Sequence, residues 1–233
     1  MNNQYRYGYP MKYTIKTLYK EGGVLRFYKG YTAALAIGPL SRFGDTAANA
    51  FVLNNLNENI PTSIKTLTGS GIAASWRIFL MPIDAIKTSL QVDGSINILR
   101  DKIKINGVRA LYYGTSASMV STFVGHYPWF LTYNIMNEKI PKYKEEYKNI
   151  IRSGFIGFNS AVISDCVANS FRVVKTVRQT YKNNISYVNV YKEIVEKDGY
   201  TGLFGRGLKT RIITNGIQGI VFSIWWKYLE KYI

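Results

Sequence analysis

The sequence predicts an all-α membrane protein built from repeated helical units. Three observations lead there: five long, weakly polar segments of helix length, charged amphipathic stretches between them, and a tandem repeat. The long segments run over 31–56, 64–91, 114–138, 148–179 and 208–230. Gly, Ala, Ser and Thr recur in them, as at Gly69, Gly71, Ala73 and Ala74, or Gly154, Gly157, Ser160 and Ala161. Small residues three and four apart let helix backbones approach closely in a bilayer. A soluble helical core uses the same residues, and composition alone weighs the two evenly. No run of eighteen apolar residues occurs, so hydropathy by itself marks no span.

The stretches 11–20, 94–105 and 186–197 place apolar residues at helical spacing among cations. Ile96, Leu99 and Ile103 alternate with Arg100, Lys102 and Lys104, a pattern for a helix lying on a surface. Residues 1–20 lack the apolar stretch of a secretory signal and are too tyrosine-rich for an ordinary transit peptide.

The repeat decides between the readings. Gly23–Gly30 reappears 84 residues later as Gly107–Gly114, and an altered copy spans Gly199–Gly207. A second element, Pro82-Ile83-Asp84-Ala85-Ile86-Lys87-Thr88-Ser89-Leu90-Gln91, returns 88 residues on as Ser170-Phe171-Arg172-Val173-Val174-Lys175-Thr176-Val177-Arg178-Gln179. The predicted units are 1–60 (incomplete), 61–143 and 144–233.

Charge and composition bound the chemistry. Thirty Lys and Arg against fourteen Asp and Glu give +16 over 233 residues, which calls for anionic partners. A single Cys166 excludes an intramolecular disulfide, and a single His126 removes the usual histidine metal clusters, so neither metal nor cofactor is expected. Cys166 reads as packing, and His126 as a packed helix residue rather than a ligand. Ser, His and acid have no catalytic spacing and no glycine-rich phosphate loop occurs, so no enzyme is expected. A soluble nucleic-acid binder would explain +16 but no repeat, and no binding motif is present, so no nucleic-acid partner is expected.

With these elements in place the sequence resembles the mitochondrial carrier family, over nearly its whole length. The resemblance rests on Pro82, Asp84, Lys87 and Gln91, which match its Pro-x-[Asp/Glu]-x-x-[Lys/Arg] element with the accompanying Gln, and on the three phased glycine elements. It implies a pseudo-threefold fold of paired transmembrane helices, each pair joined by a short matrix-side helix. It further implies a multi-pass protein of the mitochondrial inner membrane that exchanges small anionic solutes by alternating access. Membrane lipid, cardiolipin on the matrix side, would be a partner; the oligomeric state is left open. The Asn-, Ile-, Lys- and Tyr-heavy composition suits an AT-rich genome such as that of a protist or giant virus.

The resemblance assigns a matrix gate to Pro82, Asp84, Lys87, Gln91, Arg172, Lys175 and Gln179. Proline kinks its helix, and ion pairs that form and part with little net cost suit a gate. An opposite gate falls on Asn54 with Asn57, Asn134 with Asn137, and Lys227 with Glu230. Substrate positions counted from Gly30, Gly114 and Gly207 give Ile37, Ser121 with Thr122, and Thr214 with Asn215. Arg77 and Arg211 join them, because a cation at membrane depth is costly and by default functional. Arg42 and Asp45, three apart on one face, read evenly as a mutual ion pair or as functional charges at membrane depth. Fifteen cations on the surface-helix side against seven opposite fit an orientation with that side in the matrix.

Three departures stand out. The odd-numbered helix of the first unit would fall before residue 1, which leaves five long helices and places the N-terminus on the matrix side. Ser170 and Arg172 replace proline and acid, so the gate keeps one carboxylate, Asp84. The opposite gate is asparagine-rich. Two readings follow: a carrier of nucleotides or deoxynucleotides, or a carrier-derived scaffold or receptor that does not transport.

Overall fold

In the computed structural model, which describes residues 1–56 and 60–229, every regular element is helical. The described elements are α1 (Asn2–Tyr7), α2 (Met11–Gly22), α3 (Tyr31–Asn55), α4 (Thr62–Asp93), α5 (Asn97–Asn106), α6 (Thr115–Lys139), α7 (Glu146–Thr180), α8 (Tyr187–Gly205) and α9 (Leu208–Leu229), with 3₁₀ turns at Val24–Tyr28 and Gly107–Tyr112. The five long segments of the sequence are α3, α4, α6, α7 and α9; the three amphipathic ones are α2, α5 and α8. At 1.5 Å per residue, the 25 residues of α3 span roughly 37 Å, enough to cross a bilayer. By composition Tyr147–Thr180 of α7 qualifies as a span, while polar residues facing the interior dilute the others.

The repeat is visible in the backbone. Gly23, Gly107 and Gly199 share one conformation, φ +60 to +66 with ψ −149 to −167, which only glycine adopts readily. Gly23 and Gly107 end α2 and α5, Gly199 kinks α8 at the same step, and each turns the chain toward the next long helix. Gly30, Gly114 and Gly207, also at positive φ, then begin α3, α6 and α9. A side chain at these three would strike Lys87 of α4, Lys175 of α7 and Tyr5 of α1 in turn. The short α1 thus meets the start of α9 as α4 meets the start of α3 and α7 that of α6.

The long helices pack in sequence, α3 on α4, α4 on α6, α6 on α7 and α7 on α9, with α1 between the ends of α4 and α7. Tyr5 joins Val173, Val177, Val190, Ile194 and Leu203 in a buried apolar cluster uniting α1, α7 and α8. Cations clasp the ends of α1, α4 and α7, where carbonyls lack helical partners. Arg26 bonds Glu21 and the carbonyls of Leu90, Gln91 and Val92. Lys102 donates to the Gln179 carbonyl at 2.7 Å, and Arg206 bonds Asp198 and the carbonyls of Tyr5 and Arg6. The sequence pattern puts Lys102 on the wet face of its helix; it is 2% exposed because that carbonyl draws it inward. Cys166, expected to pack, is exposed.

Candidate functional site

These helices flank a cavity of about 550 Å³. Four long helices contribute most of its polar wall, since every third or fourth residue of each turns inward. From α3 come Ser41, Arg42 and Asp45; from α4, Arg77, Asp84 and Lys87; from α6, Ser118, Ser121, Thr122 and His126; from α7, Ser164, Arg172 and Lys175. Arg211 and Gln218 of α9 and Tyr5 and Asn2 of α1 add to it.

At the end nearest the surface helices one carboxylate gathers groups from two helices. Asp84 lies 2.5 Å from Lys175 Nζ and 3.5 Å from Lys87 Nζ, and Gln179 Nε2 donates to it at 3.3 Å. The link joins α4 to α7. Gln91, predicted beside these residues, accepts from Asn2 at 2.7 Å, and its carbonyl accepts from Asn3 at 2.8 Å. It therefore holds α1 rather than the ion pair. Pro82 lies within α4, two residues before Asp84. Arg172, predicted at the same gate, turns back one helical face to Asp165, at 2.8 Å.

Higher in the wall Arg77 bridges three helices. Its Nη2 lies 3.1 Å from Asp45 Oδ1, its Nε donates to Thr122 Oγ1 at 3.1 Å, and its Nη1 donates to Ser41 Oγ. Asp45 therefore pairs with Arg77 and not with Arg42, three residues away on its own helix. Arg42 is exposed and makes no ion pair among the described residues. Ser121 is buried and lines the cavity with Thr122. Thr214 instead bonds back to the Thr210 carbonyl, and Asn215 donates to Asp165, so the α9 pair serves its own helix and α7. His126 faces the cavity, its ring edge-on to Phe130, rather than being packed away.

At the opposite end, Asn54 and Asn134 are exposed. Asn137 accepts from Arg152 at 2.8 Å, and Arg152 also takes the Asn137 and Ile140 carbonyls, locking the α6–α7 turn. Asn57 and Glu230 lie outside the described residues, as does the side chain of Lys227. Sequence reasoning missed Asp165 and Arg152. For Asp165 the available signal was an ionisable residue isolated in an apolar stretch; Arg152, four residues after Lys148 in a charged stretch, offered none.

Six cations line the cavity, and three carboxylates, Asp45, Asp84 and Asp165, answer them. Such an excess of positive charge makes the potential in the cavity favourable to anions. Among the described residues no group of three His, Cys, Asp or Glu could hold a metal.

Comparison with known proteins agrees with this architecture. The chain is 27% identical over 206 residues to peroxisomal adenine nucleotide transporter 1 of Saccharomyces cerevisiae, covering 71% of the chain and 62% of that protein. It is 22% identical over 176 residues to mitochondrial thiamine pyrophosphate carrier 1 of Candida albicans, covering 70% and 58%. It is 26% identical over 173 residues to a mitochondrial arginine transporter of Arabidopsis thaliana, again covering 70% and 58%. The chain thus spans about 60% of the length of these relatives. The model of the mitochondrial carrier protein family matches residues 58–144 and 146–233, the two α-helical units that supply the floor and most of the wall, and the chain belongs to that family.

Proposed function

We propose that this protein is a solute carrier of the mitochondrial inner membrane that exchanges small anionic metabolites, nucleotides or deoxynucleotides first among them. The carrying observation is the six-cation cavity with the Asp84–Lys175 link at one end. The names of two relatives above, an adenine nucleotide transporter and a thiamine pyrophosphate carrier, favour a phosphorylated solute. One relative is named as peroxisomal and the other two as mitochondrial, which favours the mitochondrion as the address.

In this mechanism the solute enters the cavity and its charge draws the lining cations. Lys175 and Lys87 then have two anions to share, the solute and Asp84. Removing one partner of a buried ion pair costs about 3–5 kcal/mol when nothing replaces it. An anionic solute offsets that cost by solvating the released lysines, so the floor opens when loaded and resists opening when empty. No step breaks a covalent bond, and the reading is of a transporter rather than an enzyme.

The test is labelled ADP or dATP exchange in liposomes holding the purified full chain and preloaded with the same solute. Exchange is expected, and Asp84→Ala and Lys87→Ala should reduce it at least tenfold. Folded wild-type protein that moves nothing across a broad panel of anions would establish the non-transporting scaffold instead. Exchange indifferent to both substitutions would remove the floor from the mechanism.

A further inference from the structure

α4 and α7 carry the same pair of charges in opposite order. Arg77 precedes Asp84 by seven residues in α4; 88 residues later, α7 has Asp165 preceding Arg172 by seven. Seven residues are close to two turns, so each pair lies along one face of its helix. In α4 the pair stays open, Arg77 going to Asp45 and Asp84 to the lysines. In α7 it closes on itself and recruits a third member.

Asp165 Oδ1 accepts from Arg172 Nη1 at 2.8 Å and from Arg211 Nε of α9 at 2.7 Å, while Asn215 donates to Oδ2. Asp165 is 3% exposed and does not line the cavity. Both arginines do line it, with side-chain exposures of 19% and 28%. One carboxylate therefore stands behind two guanidiniums and holds them together against their mutual repulsion. Arg172 Nη2 has no acceptor among the described residues. It lies beside Gly125 of α6, 3.7 Å from where a side chain there would begin. The missing side chain leaves that nitrogen room toward the cavity.

We propose that Asp165 is the positioning residue of an oxyanion subsite on the α7–α9 wall, holding Arg172 and Arg211 side by side to take one phosphate or carboxylate group. Paired guanidiniums suit that chemistry because their planar N–H edges match the oxygens of such a group. The acid that α4 keeps at the floor has, in α7, become the backing of a binding surface. The inference rests on the anion-carrier reading of the cavity and names the part of the wall that reads the charge.

The experiment follows phenylglyoxal modification of Arg172 and Arg211 by mass spectrometry in the purified full chain, with and without pyrophosphate. Pyrophosphate should slow both sites together, at least fivefold. Asp165→Asn should bring the protection below twofold, and Asp165→Glu should recover most of it. In liposome exchange, Asp165→Asn should raise KM about tenfold with little change in turnover. Protection of neither arginine, of one alone, or equally in Asp165→Asn and wild type would overturn the proposal. Should Asp165→Asn fail to fold, wild-type protection and the Asp165→Glu variant still decide it. Exchange without protection removes the subsite alone; protection without exchange removes the carrier reading and leaves the subsite.

Discussion

Lys102 shows at the scale of one side chain how the fold overrides a surface pattern. Burial pushes its ammonium down to about 8 from an ordinary value near 10.5, with Asp93 working against that shift. Below pH 8 the group is charged in both folded and unfolded chains, and its burial costs stability. Between about 8 and 10.5 the folded chain has released a proton that the unfolded chain still binds, so its contribution to stability rises with pH. The wild-type midpoint measured against that of Lys102→Met should therefore climb across that window. A difference flat from pH 7 to 10 would contradict the burial of this amine. The same scale shows what the sequence left unread. Asp84 carried a recognisable motif, whereas Asp165 carried none, because two of its partners, Arg211 and Asn215, lie forty-six and fifty residues away and only the packing of α9 on α7 brings them to it.

Helices were the most legible level. The expected 31–56, 64–91, 114–138, 148–179 and 208–230 differ from α3, α4, α6, α7 and α9 by no more than two residues at either end. Glycines that only glycine can replace begin three of these helices, which is why their starts were readable. The six residues of α1 had no such signal; nothing local distinguishes them, and their order comes from Gln91, Arg206 and the Tyr5 cluster. Contacts between helices were equally hidden. Gly44 of α3 lies under the Trp76 ring of α4, whose Nε1 donates to the Leu40 carbonyl at 3.0 Å. A methyl group there overlaps the ring. Gly44→Ala should cost about 1–3 kcal/mol through overpacking, despite alanine's better helix propensity. Thermal unfolding of the variant in detergent checks this; an unchanged or raised midpoint would mean that α3 and α4 do not approach as described.

For the whole molecule the open question is which way it faces. With the surface-helix side in the matrix, a tag at the N-terminus should resist protease in mitoplasts as it does in intact mitochondria. Digestion in mitoplasts would reverse the orientation drawn from the charge bias. Stability at this scale depends on the links between units. Arg26→Ala and Arg206→Ala each remove hydrogen bonds from a charged donor, and each should cost about 2 kcal/mol. Either loss should lower one shared unfolding transition monitored from tryptophans in different helices, instead of splitting it in two.

The three clasps have a direction. Arg26, from the segment before α3, holds the end of α4; Lys102, from the segment before α6, holds the end of α7; Arg206, from the segment before α9, holds the end of α1. Each donor reaches forward, and the last returns to the first, so the links make a hoop rather than a row. A row of units can shed an end member and stay satisfied elsewhere. Any unit cut from a hoop takes away a donor without an acceptor and a helix end without a donor. Motion obeys the same rule: tilting one unit strains both its neighbours, and the rim must widen all round or stay shut.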